Sequence, residues 1–432
     1  MSVAALLLLL VVLLTAALFT SAVVEEVLRC SRWRWRHFSY FRRIGIPGPK
    51  PSLIWGNIVE YHSTDHYKVI GRWIKEYGDI FGFYDGDVPF VVTMDLDLIE
   101  TVNIRHFKNF MSRGLTMMVE QMHPFLGKSI IYVDGCQWKS IRNTLARGFS
   151  AAKLKLMMPL LEEDVAVLLS LLEEHAKLGE EVNMLRKYEQ LAMDFLFRGS
   201  FGVDERFQGR PDHPFETIAR TAGRKLMTGT LHMVALLADV DKVIRETAKV
   251  IEVRRRDRSY RKPDILQNLL DAEYVEDEKQ KENRKSSEIH TSRSLTTAEV
   301  ITSAVTLFVA GYETTATSLS YLTFVLAKYL DVQEKVRQEI YSVLGTEGKL
   351  DFDTLMKKLE YFDQVIYETF RLYPPGLTFA PGNEDQLNNA AFMPFGMGPR
   401  NCVGRSLAML KAKLTLGKLL QRYRLELGPS QM

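Results

Sequence analysis

The chain has 432 residues, of which 46% are hydrophobic and 25% charged, so it is long enough to bury a large core in one domain or two. Its net charge of +3 is close to neutral, so the overall charge does not indicate a nucleic-acid partner. Three scattered cysteines, Cys30, Cys136 and Cys402, indicate a reducing compartment rather than a disulfide scaffold, and without a CxxC pair they disfavour zinc.

The N-terminus begins with an apolar segment, Val3 to Val24, which is 22 residues long and carries no charge. This length is sufficient to cross a bilayer as a helix. No basic residue precedes the segment, which disfavours a cleaved signal peptide but leaves that alternative open. Arginines without any acid follow from Arg29 to Arg43, so the positive-inside rule places the rest of the chain in the cytosol. We therefore predict that residues 1–45 form a membrane anchor with a basic juxtamembrane segment.

Residues 46–432 are predicted to form one catalytic domain behind a proline-rich hinge, Ile46 to Pro51. From Tyr77 to Met94, β-prone residues and turn residues predict a small hairpin. Helical patterns dominate afterwards, as in Leu154 to Ala176, where apolar residues recur at helical spacing. The polar, highly charged stretch from Glu273 to Arg293 predicts a surface loop. The expected fold is mainly α with a minor β part.

A long helix is predicted from a capping box at Thr296 and Glu299 to about Lys328. Its middle contains the sequence Ala310-Gly311-Tyr312-Glu313-Thr314-Thr315. Glycine and threonine lower the stability of a helix interior. Residues that disfavour helix formation within an otherwise strongly helical segment indicate a functional site. Threonine hydroxyls within helices commonly hydrogen-bond to a carbonyl of the preceding turn, so the hexapeptide alone is weak evidence for a functional site.

The most specific motif is the loop from Phe395 to Gly404, which places Cys402 between Gly398 and Gly404 with Arg400 two residues before it. The glycines allow backbone N–H groups to approach the sulfur, and the helix predicted to start near Gly404 directs its positive end toward it. Arg400 supplies a cation for a carboxylate. A buried structural thiol is the alternative, which ten consecutive positions with fitting roles disfavour.

Five residues of this loop, Phe395, Gly398, Arg400, Cys402 and Gly404, match the pattern FxxGxRxCxG, so the chain resembles the cytochromes P450. Within that family it is similar to the microsomal drug-metabolising and thromboxane-synthase-like group, judging from stretches such as Pro47-Gly48-Pro49 and Phe107-Lys108-Asn109-Phe110. The resemblance implies a P450-like helical fold, haem b (iron protoporphyrin IX) as cofactor and Cys402 as the axial ligand of the iron.

The long helix also matches the family pattern AGxET. The resemblance implies that Thr314 and Glu313 are the catalytic residues, Thr314 as a hydrogen-bond donor to dioxygen and Glu313 as part of a proton relay. It further implies that Ala310 and Gly311 line the cofactor and leave room for a ligand over the porphyrin.

Two further pairs match family patterns. Trp138 and Arg142 have the spacing WxxxR, which places them on one helical face and implies that both bind a haem propionate, as Arg400 does. Glu368 and Arg371 have the spacing ExxR, which is common on ordinary helix surfaces. Its position between the other motifs implies a structural network beneath the haem.

The family pattern is incomplete in three places. The chain is short around 376–390 and has no arginine from Leu372 to Pro399 to complete the network of Glu368 and Arg371. Gly223 to Ala248 is short for the two helices that roof the pocket in the family, and the C-terminus lacks the usual final hairpin. An alternative transcript, a faulty gene model or a degraded paralogue would explain these shortenings.

The resemblance implies a haem–thiolate monooxygenase of the endoplasmic reticulum membrane whose catalytic domain faces the cytosol. It would insert one oxygen atom of O2 into a small lipophilic substrate with electrons from NADPH–cytochrome P450 reductase. Lys411 and Lys413 are expected to meet the acidic surface of that reductase. Two alternatives stay open, a haem–thiolate isomerase acting without reductase and a non-catalytic, truncated P450-like membrane protein. The sequence specifies neither the substrate nor the oligomeric state.

Overall fold

The computed structural model describes residues 3–62, 66–113, 125–210, 213, 215–217, 220, 233–257, 261–273, 294–344, 348–374 and 393–431. Side chains of the first helix are described from Thr20 onward. The chain divides into two compact units, Met1–Ile99 and Glu100–Met432. The predicted boundary after residue 45 falls within the first unit, and the division into anchor and catalytic domain stays a prediction.

The first unit combines helices with a two-stranded sheet. Its elements are α1 (Val3–Phe38), α2 (Tyr40–Arg43), α3 (Ile58–Tyr61), α4 (His66–Tyr77), β1 (Ile80–Asp85) and β2 (Val88–Thr93). The strands pair antiparallel with Phe83 opposite Phe90, and the turn between them uses the left-handed backbone of Gly86, with φ of 64°. The predicted hairpin is therefore confirmed. The hairpin and α4 share a hydrophobic cluster that consists of Val69, Trp73, Phe81 and Phe83.

The predicted membrane segment, Val3 to Val24, lies within α1, mostly where side chains fall outside the described part. Among the residues that the structure describes, no helix is long and apolar enough to cross a membrane. The N-terminal anchor stays a prediction.

The second unit is mainly helical. Following α5 (Leu96–Glu100), its α-helices are α6 (Gly135–Gly148), α7 (Ala151–Leu178), α8 (Met184–Asp194), α9 (Met233–Arg256), α10 (Ile265–Asp271), α11 (Thr297–Lys328), α12 (Leu330–Val343), α13 (Phe352–Lys357), α14 (Glu360–Leu372) and α15 (Arg405–Arg422). π-Helical turns occur at Thr101–Arg105 and Phe195–Ser200, and 3-10 turns at Phe107–Asn109, Leu126–Lys128, Gly398–Arg400 and Pro429–Gln431. The predicted fold class, mainly α with a minor β part, is confirmed.

Helix α11 runs through the core of the second unit. It begins with the predicted capping box, in which the Thr296 N–H donates to Glu299 Oε2 (2.8 Å) and the Glu299 N–H donates to Thr296 Oγ1 (3.3 Å). Phe308, Tyr312 and Leu319 form a buried face on this helix. Helix α11 packs against α8, α14 and α15, so it lies beside the helices that precede and follow the cysteine loop.

Several predicted features lie outside the described residues. They include most of the predicted surface loop after Glu273, the shortened stretch at 376–390 and the first part of Gly223–Ala248, of which only the portion in α9 is described.

Candidate functional site

The cysteine loop is held by its own backbone. The Cys402 N–H donates to the Phe395 carbonyl over 2.7 Å, and the Phe395 ring packs against Phe370 with ring centroids 5.9 Å apart. Helix α15 begins at Arg405 with Gly404 as its N-cap, as the sequence predicts. The loop therefore places the thiol at the positive end of a long helix.

The two glycines of the loop motif, Gly398 and Gly404, have different surroundings. Gly398 has a φ of 68°, and a Cβ there would lie 2.1 Å from the Asn103 carbonyl oxygen, so only glycine fits between the loop and the turn Thr101–Arg105. The amides that hydrogen-bond the thiol are those of Gly404 and Arg405. The expectation that Gly398 lets the backbone approach the sulfur is thus replaced by its contact with Asn103.

The Cys402 side chain is exposed on one side and faces protein on the other. Burial of that inner side raises the pKa of the Cys402 thiol, whereas the Gly404 and Arg405 amides and the guanidinium groups of Arg142 and Arg405 act in the opposite direction. Burial prevails, so the protein alone leaves the thiol protonated at neutral pH. A bound metal cation would deprotonate it outright.

Three arginines lie beside the cysteine loop. Arg142 donates to both the carbonyl and the side-chain oxygen of Asn401, each over 2.5 Å, and Arg113 donates to the Arg400 carbonyl over 3.1 Å. Arg113 and Asn401 belong to this site without any sequence signal, because Arg113 is in no motif and Asn401 occupies a variable position of the cysteine motif.

Arg400 is fixed by the main chain and an indole ring. Its guanidinium donates to the carbonyls of Met111 (2.7 Å) and Val133 (2.6 Å) and lies 4.8 Å from the ring centroid of Trp138. Trp138 is buried in α6, one turn before Arg142. The spacing WxxxR therefore brings both residues to the cysteine loop.

Among the described residues, no carboxylate forms a direct ion pair with the arginine cluster, Arg113, Arg142 and Arg400, and the acidic electrostatic partner of Arg400 is Asp134. Burial first, and then repulsion by Arg113 and Arg142, lowers the pKa of Arg400 to about 10, and burial together with Arg113 also lowers that of Arg142. At this pKa the Arg400 guanidinium is cationic at pH 7. Asp134 attracts the Arg400 guanidinium and offsets part of this positive charge. The net positive charge of the cluster still fits an anionic ligand group such as a propionate.

The residues expected to face the cofactor from α11 differ in their surroundings. Ala310 is exposed, and the half-buried Thr314 donates its hydroxyl hydrogen to the Ala310 carbonyl over 2.6 Å. Glu313 is half-buried next to it. A Cβ on Gly311 would lie 2.9 Å from Leu196 Cδ2, so this glycine lets α11 pack closely against the turn Phe195–Ser200. Helix packing is the reason that the structure supplies for Gly311.

Glu368 and Arg371 form a two-fold ion pair on α14. Arg371 donates to both carboxylate oxygens over 2.8 and 2.6 Å, which lowers the pKa of Glu368. The Glu368 side chain is 56% exposed, so the pair contributes less than about 1 kcal/mol. Within the described ranges no third charged partner joins it.

Lys411 and Lys413 were expected to meet a reductase, and this expectation is wrong. Lys411 is 2% exposed and lies over the Phe195 ring, 5.2 Å from its centroid. Lys413 is 1% exposed, pairs with Asp363 (2.5 Å) and donates to the Leu355 carbonyl (2.8 Å). Neither ammonium can reach a partner protein, because α15 is covered on several sides.

Replacing each of these two lysines by methionine should change the free energy of unfolding in opposite directions. Burial lowers the pKa of Lys411 to about 8, so its charged form opposes folding, whereas the Lys413 charge has close partners. We expect Lys411→Met to raise the free energy of unfolding by about 1–3 kcal/mol below pH 8 and Lys413→Met to lower it by a similar amount. Urea unfolding of both variants would measure this.

The pH dependence provides a second check. Between pH 8 and the ordinary lysine pKa, Lys411 binds more protons in the unfolded chain than in the folded chain, so its unfavourable contribution to stability diminishes as the pH rises over that range. The gain from Lys411→Met should therefore shrink as the pH is raised. A Lys411→Met variant that is less stable than wild type at pH 7 would contradict the account.

Taken together, the cysteine loop and the arginine cluster fit a haem with a thiolate ligand. The thiol is open on one side, burial outweighs the cationic Arg142 and Arg405 groups that favour its thiolate, and the adjacent arginines form no direct ion pair with a described carboxylate. An iron porphyrin supplies a metal cation for the thiol and two carboxylates for the arginines. The class of site is therefore haem–thiolate.

Comparison with known proteins gives the family. The family model "Cytochrome P450" matches residues 46–383 and 378–432. The chain is 27% identical over 459 residues to cytochrome P450 3A14 of Cavia porcellus (89% of this chain, 86% of the relative) and 28% over 461 residues to cytochrome P450 3A6 of Oryctolagus cuniculus (90% and 87%). It is 29% identical over 442 residues to lithocholate 6-beta-hydroxylase of Mesocricetus auratus (89% and 86%).

The chain belongs to the cytochrome P450 family. It is accordingly a P450-type monooxygenase with haem b as its cofactor.

Proposed function

We propose that Cys402 is the axial ligand of the haem iron and that the arginine cluster holds the propionates. The observation that carries this proposal is the open Cys402 thiol beside arginines that form no direct ion pair with a described carboxylate. Phe395, Gly398 and Gly404 shape the loop, while Trp138 stacks on Arg400 and keeps its guanidinium in place. When bound, the haem supplies activation of O2, and the thiolate increases the electron density on iron.

We assign the delivery of protons to Thr314 and Glu313. The hydroxyl of Thr314 is bonded to the Ala310 carbonyl and sits on the face of α11 where Ala310 is exposed. From this position it can share its hydrogen with a ligand on that side of the helix while the carbonyl fixes its rotamer. Glu313 is the adjacent carboxylate that can pass protons to it.

The proposed substrate is small and lipophilic, and the proposed setting is the endoplasmic reticulum membrane with the catalytic domain in the cytosol. An apolar N-terminal segment would let the enzyme take such a molecule from the bilayer. The relative from Mesocricetus auratus, which is named a hydroxylase of lithocholate, supports a lipophilic substrate. Electrons are proposed to come from NADPH–cytochrome P450 reductase.

A non-catalytic, truncated P450-like protein is the second candidate. The alignment to the guinea-pig relative runs over 459 positions although it covers 89% of a 432-residue chain, so the relative has internal segments that this chain lacks. The two matches to the family model overlap at 378–383, within the shortened stretch around 376–390. These observations support internal shortening, which would affect the substrate pocket.

Isotope incorporation separates these candidates. Membranes containing the full chain and reductase would be given NADPH, 18O2 and lithocholate. A monooxygenase should place one 18O atom in each product molecule and require NADPH. Rearrangement of a lipid peroxide in the absence of NADPH and reductase would favour an isomerase, and absence of product both from that peroxide and across a panel of lipophilic substrates would favour the truncated, inactive form.

Helix α6 offers a replacement for the reductase surface first expected at Lys411 and Lys413. Lys139 and Arg147 are exposed on its outer face, whereas Trp138, Ile141 and Leu145 are buried on the inner face. The same helix carries Arg142, which contacts the cysteine loop. We propose that this basic outer face binds the acidic surface of the reductase.

We expect the double change Lys139→Glu and Arg147→Glu to raise the KM for reductase about tenfold at low ionic strength, because two attractive charges become repulsive. Haem content should stay unchanged, since neither side chain faces the loop. Lys335→Glu, an exposed position on α12, serves as the matched control and should leave the KM within about twofold. Equal KM values for the double variant and the control would contradict the proposed surface.

A further inference from the structure

A cavity of about 420 Å³ lies in the second unit, apart from the cysteine loop. Its walls are dominated by five aromatic rings, those of Phe197, Phe201, Phe207, Phe215 and Phe308. The Phe197 ring centroid is 4.8 Å from that of Phe207 and 5.2 Å from that of Phe215, and Phe215 is 5.2 Å from Phe308. We call this space the phenylalanine cavity. Its volume is within the range of about 300–1,000 Å³ found for small-molecule sites.

The phenylalanine cavity is distinct from the proposed haem side of α11. Successive residues of a helix are separated by about 100°, so Ala310 and Thr314 project about 160° and 120° away from Phe308. Phe308 is buried and lines the cavity, whereas Ala310 is exposed on the other side. A ligand in the cavity would therefore be separated from Thr314 by the helix itself.

Buried polar groups hold the walls of the cavity in place. The Phe207 N–H donates to the buried carboxylate of Asp194 over 2.6 Å. The Phe201 carbonyl accepts from Arg254 over 2.6 Å, and Arg254 is paired with buried Asp264 at 2.7 Å. Because these anchors lie behind the rings, the cavity is formed before any ligand binds, which limits the cost of ordering it.

The rim of the cavity has acidic groups that can be recruited by a ligand. Glu205 and Glu246 both line it, together with Lys249 and His213. Glu205 pairs with Arg210 and Glu246 pairs with Lys249, each at 2.7 Å, but the Arg210 and Lys249 side chains are 61% and 70% exposed. Such exposed ion pairs contribute little to stability, so the Arg210 and Lys249 side chains can turn to solvent when a cationic ligand binds.

We propose that the phenylalanine cavity is a second ligand site, which binds a lipophilic aromatic ammonium ion. The aromatic part of the ligand packs among the five rings, and the ammonium group lies at the rim between ring faces and the carboxylates of Glu205 and Glu246. Aromatic faces attract a cation through their quadrupole, most effectively when it is partly desolvated. The site is independent of the haem, because none of its lining residues belongs to the haem motifs.

The site can be tested with trimethyl(1-naphthylmethyl)ammonium, which has no lone pair on nitrogen and cannot ligate iron. Its Kd for the detergent-solubilised full chain would be measured by titration calorimetry. Val250→Trp fills the cavity from α9 and should weaken binding by about tenfold or more. Val253→Trp is the matched control on the same helix, where the side chain is 64% exposed, and should leave the Kd within about twofold. Phe215→Leu removes one ring without adding bulk and should weaken binding as well, even where Val250→Trp fails to fold.

The charge of the ligand is tested with its neutral isostere, 1-neopentylnaphthalene, in competition with the ammonium compound. We expect the cation to bind roughly three- to tenfold more tightly than the isostere, and Glu246→Gln to reduce this preference. Equal affinity of the cation and the isostere for wild type would overturn the proposed ligand class. A Kd unchanged in both Val250→Trp and Phe215→Leu would place the binding elsewhere and overturn the site.

Discussion

Replacing Cys402 by serine is expected to reduce NADPH-dependent product formation to background. A serine hydroxyl is a poor ligand to haem iron and cannot supply the electron density of a thiolate. The loop should survive the change, because it is held by the Cys402 N–H and by the packing of Phe395 rather than by the sulfur. Product formation and haem content per mole of protein are the two measurements.

Cys136→Ser provides the matched control for this prediction. Cys136 is also exposed and lies on α6, in the same unit, but outside the cysteine motif. This variant should retain wild-type haem content and turnover. Substantial turnover in Cys402→Ser, or equal losses in both variants, would be incompatible with Cys402 as the iron ligand.

Thr314→Ala is expected to separate consumption of NADPH from product formation. Removing the hydroxyl leaves the helix intact, because alanine is a better helix former than threonine, but it deletes the donor that we assign to proton delivery. We predict a fall in product per NADPH of roughly 10²-fold with a much smaller change in NADPH oxidation. The missing reducing equivalents should appear as hydrogen peroxide or water.

Thr314→Ser keeps a hydroxyl at the same position and should restore most of the coupling between NADPH and product. Thr315→Ala is a second control, since Thr315 is buried on another face of α11. If Thr314→Ala retained wild-type coupling, or if Thr314→Ser lost it as completely as alanine does, the hydroxyl would not be the proton donor.

Local sequence patterns were sufficient for the elements whose determinants are local. The capping box at Thr296 located the start of α11, and the alternation of β-prone and turn residues located the hairpin around Gly86. The start of α15 after Gly404 followed from the loop motif and the leucine spacing. In each case the interactions that fix the element join residues close in the sequence.

Features that depend on tertiary packing were not predictable in the same way. Lys411 and Lys413 are charged and lie on a helix with an amphipathic pattern, so their sequence favoured exposure, yet packing of Phe195, Leu355 and Asp363 around α15 buries both. Gly311 is explained by Leu196, more than a hundred residues earlier.

The arginine cluster shows the same limitation at the site. Arg142 and Arg400 were expected at the haem because they belong to family motifs. Arg113 and Asn401 join them through hydrogen bonds between segments distant in sequence, including a bond from Arg142 on α6 to Asn401 in the cysteine loop. Only the folded chain reveals that three cations converge beside the cysteine loop.

The central claim is that this chain, with its shortened segments, holds haem through the Cys402 thiolate. The most direct test is the carbon-monoxide difference spectrum of the reduced, membrane-expressed full chain. We predict the strongly red-shifted Soret band of a thiolate-ligated haem, and its loss in Cys402→Ser. Absence of any haem signal, or a band without the thiolate shift in the wild-type protein, would contradict the claim.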